Sequence, residues 1–385
     1  MQQTTGHILA QPKQAEDATP VYGANEAAWL ISYLRGAAIE PPSNLDWRIV
    51  LRLARANGVL ALIDDRLRAS GVQTPEWFLE QAREVRDAGE RLARELELLL
   101  DEFGARSIEI MPLKGPAMGQ ALYGNAGLRP SVDLDLLVRV RDVERGEALM
   151  RELGFTAKPT SDYDVRFRRD GLSVELHFEL ASPQYCKFDI DGVWARSRAG
   201  EFRGRPIRTM SDEDLVFYLC AHGLKHGFSR LIWVADIARA LAQCAPGGCE
   251  QLMRDARRQG LAAWLLLGCE VVRAFFPEQL PAEMDTAIEP VKAAAMRARG
   301  VAERLFSEER ALVLSDHREL YLEAEPSALR RWRYRCRYFA PTGSDFLWAK
   351  KHGIRPELMV ALRPFRVLKK YGAGKVWLTL FPPRA

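Results

Sequence analysis

Hydrophobic residues recur with different periods in successive regions of the chain. From Asn25 to Leu100 they recur at every third and fourth position, which predicts helices, and one long amphipathic helix is expected from Pro75 to Phe103. From residue 91 to about residue 208, short β-prone runs alternate with helical patterns. A 3.6-residue period returns at Leu215 and continues to about residue 320, which predicts a second helical region.

Turn residues divide the middle region into separate elements. Ile108–Leu113 and Val132–Val138 are short strand-like runs, and a helix is expected between them at Ala117–Tyr123. The run Asp142–Leu153 predicts a further helix. Tyr163–Phe178 predicts a β-hairpin, because the Asp-Gly pair near its centre is favoured in two-residue hairpin turns.

The composition is that of a folded globular protein. Of its 385 residues, 48% are hydrophobic and 28% are charged, which excludes a fully disordered or fibrous chain. The six cysteines form no CxxC pair, which argues against a disulfide framework and a structural zinc site. The N-terminus lacks a secretory signal, and the most apolar stretch, 260–276, is too short to span a bilayer. We therefore expect a cytoplasmic protein without a transmembrane segment.

Charge is strongly segregated along the sequence. The formal net charge is only +4, but residues 330–385 contain fourteen Lys or Arg against two acids, a net charge of +12, so the preceding residues carry −8. Arginines alternate with aromatic and other residues over 331–338, and an extended chain there would place the arginines on one side. Three uses stay open for this tail: binding a nucleic-acid backbone, binding an acidic membrane surface, and docking on the acidic body of the chain.

Two aspartates mark the second of the predicted strands. Asp133 and Asp135 lie two residues apart, so both carboxylates should project from one face. Val132, Leu134 and Leu136 are expected to enter the other face. Adjacent like charges repel each other, whereas a divalent cation held between them removes that penalty. The pair therefore predicts a metal site.

A third carboxylate lies on a later predicted strand. Glu175 shares one face of that strand with His177, and an adjacent position in the sheet would bring it beside the two aspartates. Three carboxylates suit Mg²⁺, with Mn²⁺ as a substitute, and Mg²⁺ commonly binds substrate phosphates. The set therefore implies phosphoryl chemistry. His177 is a candidate either to orient a carboxylate or to act as the base for an acceptor.

The residues before the aspartates add a candidate phosphate site. Gly115 lies at a strand-to-helix turn, where a glycine permits close backbone approach and the helix N-terminus attracts phosphate. Lys114 and Arg129 are candidates to neutralise the remaining phosphate charge.

The second helical region supplies further candidates. His222 and His226 are four residues apart, a spacing that suits zinc, although a structural or substrate-facing pair is the preferred interpretation. Arg230 and Asp236 are expected to form an ion pair on a helix face that docks this region on the sheet, and a contact of Arg230 with the acceptor is the alternative.

At this point the sequence resembles the nucleotidyltransferase superfamily of DNA polymerase β type, which has a glycine turn opening a helix, two aspartates on a strand and an acid on a later strand. More closely, it looks like the uncharacterised bacterial nucleotidyltransferase family labelled type 5. The residues that carry this resemblance are Leu113–Pro116, Leu128–Val138, Val174–His177, His222–His226 and Arg230–Ile237.

The resemblance implies a fold and an activity. The fold would be α+β, with a small mixed sheet flanked by helices and with helical N-terminal and C-terminal regions. In this family pattern Asp133 and Asp135 would bridge two Mg²⁺ ions and a nucleoside triphosphate, most simply ATP, and Glu175 would hold the metal that activates the acceptor hydroxyl. The products would be a nucleoside monophosphate ester and pyrophosphate. We expect a leader at 1–24, a helical region at 25–90, a catalytic domain at 91–210, a helical domain at 211–320 and a basic aromatic segment at 321–385.

The acceptor is open between a hydroxyl and a phosphate group on a small molecule, a peptide or a nucleic acid. If the basic tail binds it, the acceptor should be anionic. A different class of function stays open as well: a catalytically inactive module that binds a nucleotide or a partner, antitoxin-like or regulatory. The presence of all three acids favours the enzyme.

Overall fold

The computed structural model describes residues 23–37, 40–158, 163–181, 188–244, 248–287, 305–306, 328–336 and 339–380. Most of the expected leader, and much of the stretch from 288 to 327, lie outside the described residues. The domain boundaries expected from the sequence therefore stay predictions.

Four helices form the N-terminal part of the described chain, as the apolar period predicts. The second begins where the Asp46 carboxylate accepts a hydrogen bond of 2.8 Å from the backbone N–H of Arg48. Trp29 and Phe78 are buried beside Trp47 and anchor the helices to one another. The helices are α1 (Ala24–Arg35), α2 (Trp47–Ala56), α3 (Leu60–Ala69) and α4 (Glu76–Ala105).

A five-stranded sheet lies at the centre of the protein, in the order β1-β2-β5-β4-β3. The β2 and β5 strands are parallel, whereas every other neighbouring pair is antiparallel. The sheet is therefore mixed, and the α+β prediction is confirmed. The strands are β1 (Ile110–Pro112), β2 (Leu134–Val138), β3 (Thr156–Ala157), β4 (Asp164–Arg169) and β5 (Leu172–His177).

The β4–β5 hairpin forms at the predicted turn. Asp170 and Gly171 have φ values of 47° and 81°, the left-handed backbone that such a two-residue turn requires. A second hairpin, with Arg203 and Gly204 in its turn, follows later in the chain. The remaining elements of this region are α5 (Gly115–Tyr123), α6 (Val143–Glu152), α7 (Ile190–Arg196), β6 (Arg198–Phe202) and β7 (Arg205–Thr209).

The two faces of the sheet contribute to different cores. Leu134 and Leu136 are buried in a core with the second half of α4 and with α6. Leu137 points the other way, into a core shared with the N-terminal helices and the helices that follow the sheet. The expectation for Val132 was wrong: the strand begins only at Leu134, and Val132 is 81% exposed.

The helices after the sheet complete this second core. Ser211 caps the first of them, with its side chain accepting a hydrogen bond from the backbone N–H of Asp214. None of the helices among the described residues combines the length and apolar character that crossing a bilayer requires. The helices are α8 (Asp212–Lys225), α9 (Leu231–Gln243), α10 (Gly248–Gln259), α11 (Ala262–Phe275) and α12 (Ala282–Ala287).

Residues 331–336 of the basic tail are helical, so the extended chain that would place the arginines on one side is not formed there. In a helix each step of two residues turns by about 200°, which distributes the alternating arginines around the helix instead of along one side. Residues 337–338 lie outside the described part. The tail helices are α13 (Ala328–Cys336), α14 (Gly343–Lys351), α15 (Met359–Tyr371) and α16 (Ala373–Leu380).

Replacing Gly89 with Ala is expected to lower the free energy of unfolding by about 1–3 kcal/mol. A Cβ at Gly89 in α4 would lie 2.9 Å from the Cα of Gly127, and this backbone neighbour cannot rotate away. Gly104→Ala in the same helix is the matched control, since no atom lies within 4 Å of a Cβ there. Urea unfolding of both variants measures the effect. An equal loss in the two variants would contradict the close approach.

Candidate active site

The parallel pair of strands brings the predicted acids together. In the register between β2 and β5, Asp135 lies opposite Glu175, and Leu137 lies opposite His177. Paired residues of neighbouring strands project from the same face of a sheet. Asp135, Glu175 and His177 therefore share the face that is covered by the helices after the sheet.

Both oxygens of the buried Asp135 carboxylate have charged or imidazole neighbours. The Lys114 Nζ lies 2.9 Å from one oxygen, and the His177 Nε2 lies 2.9 Å from the other. Burial alone would raise the pKa of Asp135, but Lys114 and His177 outweigh it and hold that pKa well below its usual range. Asp135 is therefore an ionised carboxylate at the centre of the cluster.

His177 connects Asp135 to Glu175. Its Nε2 also lies 3.4 Å from a Glu175 oxygen, and the ring is buried against Tyr163. Burial would lower the pKa of His177, but its contacts with Asp135 and Glu175 outweigh this and raise it to about 9. Its Nδ1 has no hydrogen-bond partner within the described part of the chain. The imidazole thus fixes the spacing of the two carboxylates.

Asp133 lies just before β2 and is half-buried. The Ser131 hydroxyl donates a hydrogen bond to the backbone oxygen of Asp133 at 2.9 Å, and its Oγ also lies 3.3 Å from the Asp133 carboxylate. Burial, followed by the charge of Asp135, raises the pKa of Asp133. Both causes disfavour the ionised form of Asp133, and a bound cation would reduce that cost.

The turn after β1 delivers Lys114 to the cluster. The backbone N–H of Leu113 donates to the Asp135 carbonyl oxygen at 2.9 Å, which holds the end of β1 beside β2. Gly115 follows with a φ of 67°, a left-handed conformation that favours glycine. The chain then enters α5, and the Lys114 side chain turns back to Asp135.

Histidine and tyrosine side chains of α8 lie close to the same charges. Burial raises the pKa of Tyr218, and burial together with the charge of Lys114 holds the pKa of His222 well below its usual range. The His222 and His226 rings are 4.7 Å apart, and both contact Trp233. Neither histidine belongs to a three-ligand metal cluster within the described ranges. The geometry therefore favours a structural role for the two histidines, as part of a cluster of packed rings with Trp233.

Arg129 occupies a different place from the one expected for a phosphate ligand. It is buried, and its guanidinium lies 2.8 Å from Asp236 on α9, which also accepts a 2.9 Å hydrogen bond from Tyr123. The expected Arg230–Asp236 pair was wrong. Arg230 precedes α9, and six residues place the two side chains on different sides of the helix, so Arg230 lies by Trp233 instead.

Two polar residues of β4 were missed by sequence reasoning. Arg166 lies opposite Glu175, with its Nε 3.0 Å from the Glu175 carboxylate, and the buried Asp164 lies opposite His177. Both positions could have been found from the predicted hairpin turn, because the turn sets the register of the two strands. With a two-residue turn, counting outward along both strands places these residues opposite each other.

The donor groups can be compared with what a divalent cation needs. Asp135, Glu175 and His177 offer ligand atoms that all lie within 4.8 Å of one another, and Asp133 is not part of this group. Carboxylate oxygens are the ligands that Mg²⁺ and Mn²⁺ prefer, and imidazole is tolerated better by Mn²⁺. The residues therefore fit a divalent cation. When no cation is bound, Lys114 neutralises the charge of Asp135.

A mixed sheet that carries paired carboxylates on its parallel strands, beside a glycine turn and a lysine, is the arrangement that the resemblance to nucleotidyltransferases predicts. The family model for an uncharacterised nucleotidyltransferase matches residues 43–277, more than half of the chain. The chain belongs to this nucleotidyltransferase family, and nucleotidyl transfer is the enzymatic activity of the class. None of the curated proteins matches the sequence.

Three solved structures resemble part of the chain. The solution structure of the antibiotic-resistance factor ANT(2'')-Ia has 16% identity and a TM-score of 0.37, covering 45% of this chain and 95% of that one. The same protein in complex with adenylyl-2''-tobramycin has 15% identity and a TM-score of 0.35, with 44% and 99% covered. An antigenic nucleotidyltransferase-like protein from Paracoccidioides brasiliensis has 15% identity and a TM-score of 0.32, with 46% and 92% covered. The family assignment rests on the sequence match alone.

Proposed function

We propose that the protein transfers a nucleoside monophosphate from a nucleoside triphosphate, ATP in the simplest case, to a hydroxyl or phosphate acceptor and releases pyrophosphate. The observation that carries this proposal is the in-register pairing of Asp135 with Glu175, with Lys114 and His177 on the two oxygens of Asp135. Such a cluster can bind cation and phosphate together, which is what the transfer requires.

Three carboxylates are assigned to divalent cations. Asp135 and Glu175 would hold the metal, Asp133 would supply the third carboxylate, and the ion would neutralise phosphate charge and make the acceptor a better nucleophile. His177 lies between two of these carboxylates, so we assign it a positioning role. Arg166 fixes Glu175 from the neighbouring strand.

Lys114 and Gly115 are assigned to the triphosphate. Lys114 is a compact charge already directed into the cluster, and Gly115 opens α5 with a backbone that only glycine adopts easily. The acceptor oxygen attacks the α-phosphorus and its proton passes to water as the new P–O bond forms. The bond between the α-phosphorus and the oxygen that bridges to the β-phosphate breaks, and pyrophosphate leaves. Lys114 then faces the negative charge that accumulates on pyrophosphate. Arg129 acts through Asp236 to position the loop before Asp133.

A cavity at the carboxyl ends of the two parallel strands is a candidate site for the acceptor. It has a volume of about 780 Å³ and opens where the parallel strands end, at Arg139 after β2 and Glu179 after β5. Ligands of such sheets commonly bind outside the carboxyl ends of the parallel strands. Trp194 lines the cavity, with the Arg139 guanidinium 4.5 Å from its ring centroid. We assign the acceptor to this cavity, which begins one residue after the end of β2 and two residues after the end of β5.

Pyrophosphate release tests the proposal. Purified protein incubated with ATP, Mg²⁺ and a nucleotide-free cell extract as the source of acceptor should release pyrophosphate, and Glu175→Gln should release almost none. Glu80→Gln, the same change at an exposed helical position, is the control and should match the wild-type rate. Release at the wild-type rate from Glu175→Gln would contradict the assignment of Glu175.

Replacing Lys114 with Met is expected to raise the KM for ATP and to lower kcat/KM about 10²-fold, because one charged contact to the triphosphate is lost. Lys158→Met removes an exposed lysine and should change neither quantity. Thermal unfolding of both variants separates this effect from loss of the fold. An unchanged KM for ATP in Lys114→Met would contradict the triphosphate role.

A further inference from the structure

The α15 helix of the basic tail has two faces of unusual character. Met359, Arg363 and Val367 are buried and lie four residues apart, so one side of the helix holds the tail together. Within that side, the Arg363 guanidinium lies 2.8 Å from the buried Asp345 of α14. A buried ion pair is therefore part of the interior of this helical unit.

Another face, formed by α15 and Leu358 just before it, exposes large apolar side chains. Its residues are spaced by three or four, so they form one continuous stripe along the helix. The exposed fractions are 52% for Leu358, 37% for Leu362, 71% for Phe365 and 40% for Leu368. We refer to these four residues as the apolar stripe. Large side chains arranged in this way mark an interaction surface, because scattered single apolar residues would not align.

Cations and further exposed rings occur in the same tail as the apolar stripe. Lys369 is exposed beside it on α15, and Arg355 is 83% exposed just before the helix. Trp377 on α16 is 62% exposed, and Trp332 on α13 is 56% exposed. The net charge of residues 330–385 is +12. Apolar side chains, indole rings and cations together are the composition of helices that lie in a membrane interface.

We propose that the apolar stripe docks the protein on an anionic lipid bilayer. The aliphatic side chains and Phe365 would enter the boundary between headgroups and acyl chains, while the cations of the tail would contact anionic headgroups. A nucleic-acid backbone would satisfy the cations but leave the apolar stripe in water. Docking on the acidic body of the chain does not account for the stripe either, because it is exposed in the folded chain.

This inference is independent of the nucleotidyl transfer proposed above. The tail helices lie on the membrane in this account and do not cross it. The Asp135 cluster and the apolar stripe can therefore be tested by separate variants.

The test is flotation of the full-length protein with vesicles. Phosphatidylcholine vesicles that contain phosphatidylglycerol should carry the protein upward, and added salt should weaken the binding. Phosphatidylcholine alone should bind it at least about tenfold more weakly, because the headgroup attraction is missing. The double variant Leu362→Asp and Phe365→Asp should lose at least about tenfold in partition to the anionic vesicles.

Matched variants make the outcome decisive. Leu98→Asp changes an apolar residue that is 56% exposed on α4 and should leave vesicle binding unchanged, as should Lys158→Glu on the body. Lys369→Glu should weaken binding. Equal binding to both kinds of vesicle, wild-type binding by the double variant, or no binding would overturn the proposal. Sedimentation that shows a dimer broken by the double variant, without vesicle binding, would assign the stripe to a second copy and overturn it too.

Discussion

Replacing Asp135 with Asn is expected to lower kcat/KM for nucleotidyl transfer about 10³-fold. The substitution keeps the size of the side chain but removes its charge. It also places an amide NH₂ against either Lys114 or His177, two groups that now contact the carboxylate oxygens. A cation and a triphosphate would then lose the ligand at the centre of the cluster, which positions both.

The control for Asp135→Asn is available in the same sheet. Asp170→Asn makes the identical chemical change at the exposed turn of the β4–β5 hairpin, where asparagine is also favoured. This variant should keep wild-type kinetics. Circular dichroism and thermal unfolding of both proteins check the fold. A kcat/KM for Asp135→Asn within threefold of wild type, about 0.6 kcal/mol, would contradict the assignment of Asp135.

Replacing Asp236 with Ala is expected to lower the free energy of unfolding by about 3–5 kcal/mol. The change leaves the buried Arg129 without its counter-ion and removes the acceptor of the Tyr123 hydroxyl. Charge buried without a partner costs far more than the pair contributes when intact. Because these three residues join α5, the loop before β2 and α9, the loss should loosen the helical region from the sheet.

Two further proteins interpret that measurement. The double variant Arg129→Met and Asp236→Leu should recover most of the lost stability, because no unpaired charge remains. Glu250→Ala breaks an exposed ion pair with Arg254 and should cost at most about 1 kcal/mol. Urea unfolding measures all three. A loss in Asp236→Ala no greater than in Glu250→Ala would contradict the docking role.

Local patterns were sufficient to predict much of the sheet. The alternation around Asp133 and Asp135 and the Asp170-Gly171 turn predicted β2 and the β4–β5 hairpin, because both signals depend on neighbouring residues. The same hairpin register also contained the Arg166–Glu175 contact, although only an explicit count along the strands would have exposed it. The prediction that Val132 enters the core was wrong because β2 starts two residues later than the alternation suggests.

The contacts between distant segments could not be predicted in this way. Arg129 and Asp236 are 107 residues apart, and either Arg129 or Arg230 could have paired with Asp236 on charge alone. Helix periodicity already separates Arg230 from Asp236, whereas the approach of Arg129 depends on where α9 packs in the folded chain, which no local pattern specifies. Likewise, the position of Lys114 beside Asp135 follows from the pairing of β1 with β2.

The central claim is that this cluster moves a nucleoside monophosphate, and the fate of the phosphate label tests it most directly. Protein, Mg²⁺ and a nucleotide-free cell extract are incubated with ATP labelled either at the α-phosphate or at the γ-phosphate. The account predicts that the α-label enters an acceptor, that the γ-label appears only in pyrophosphate, and that Asp135→Asn abolishes both. Entry of the γ-label into the acceptor, α-label transfer that persists in Asp135→Asn, or ATP binding without any transfer would contradict it, the last in favour of a nucleotide-binding module.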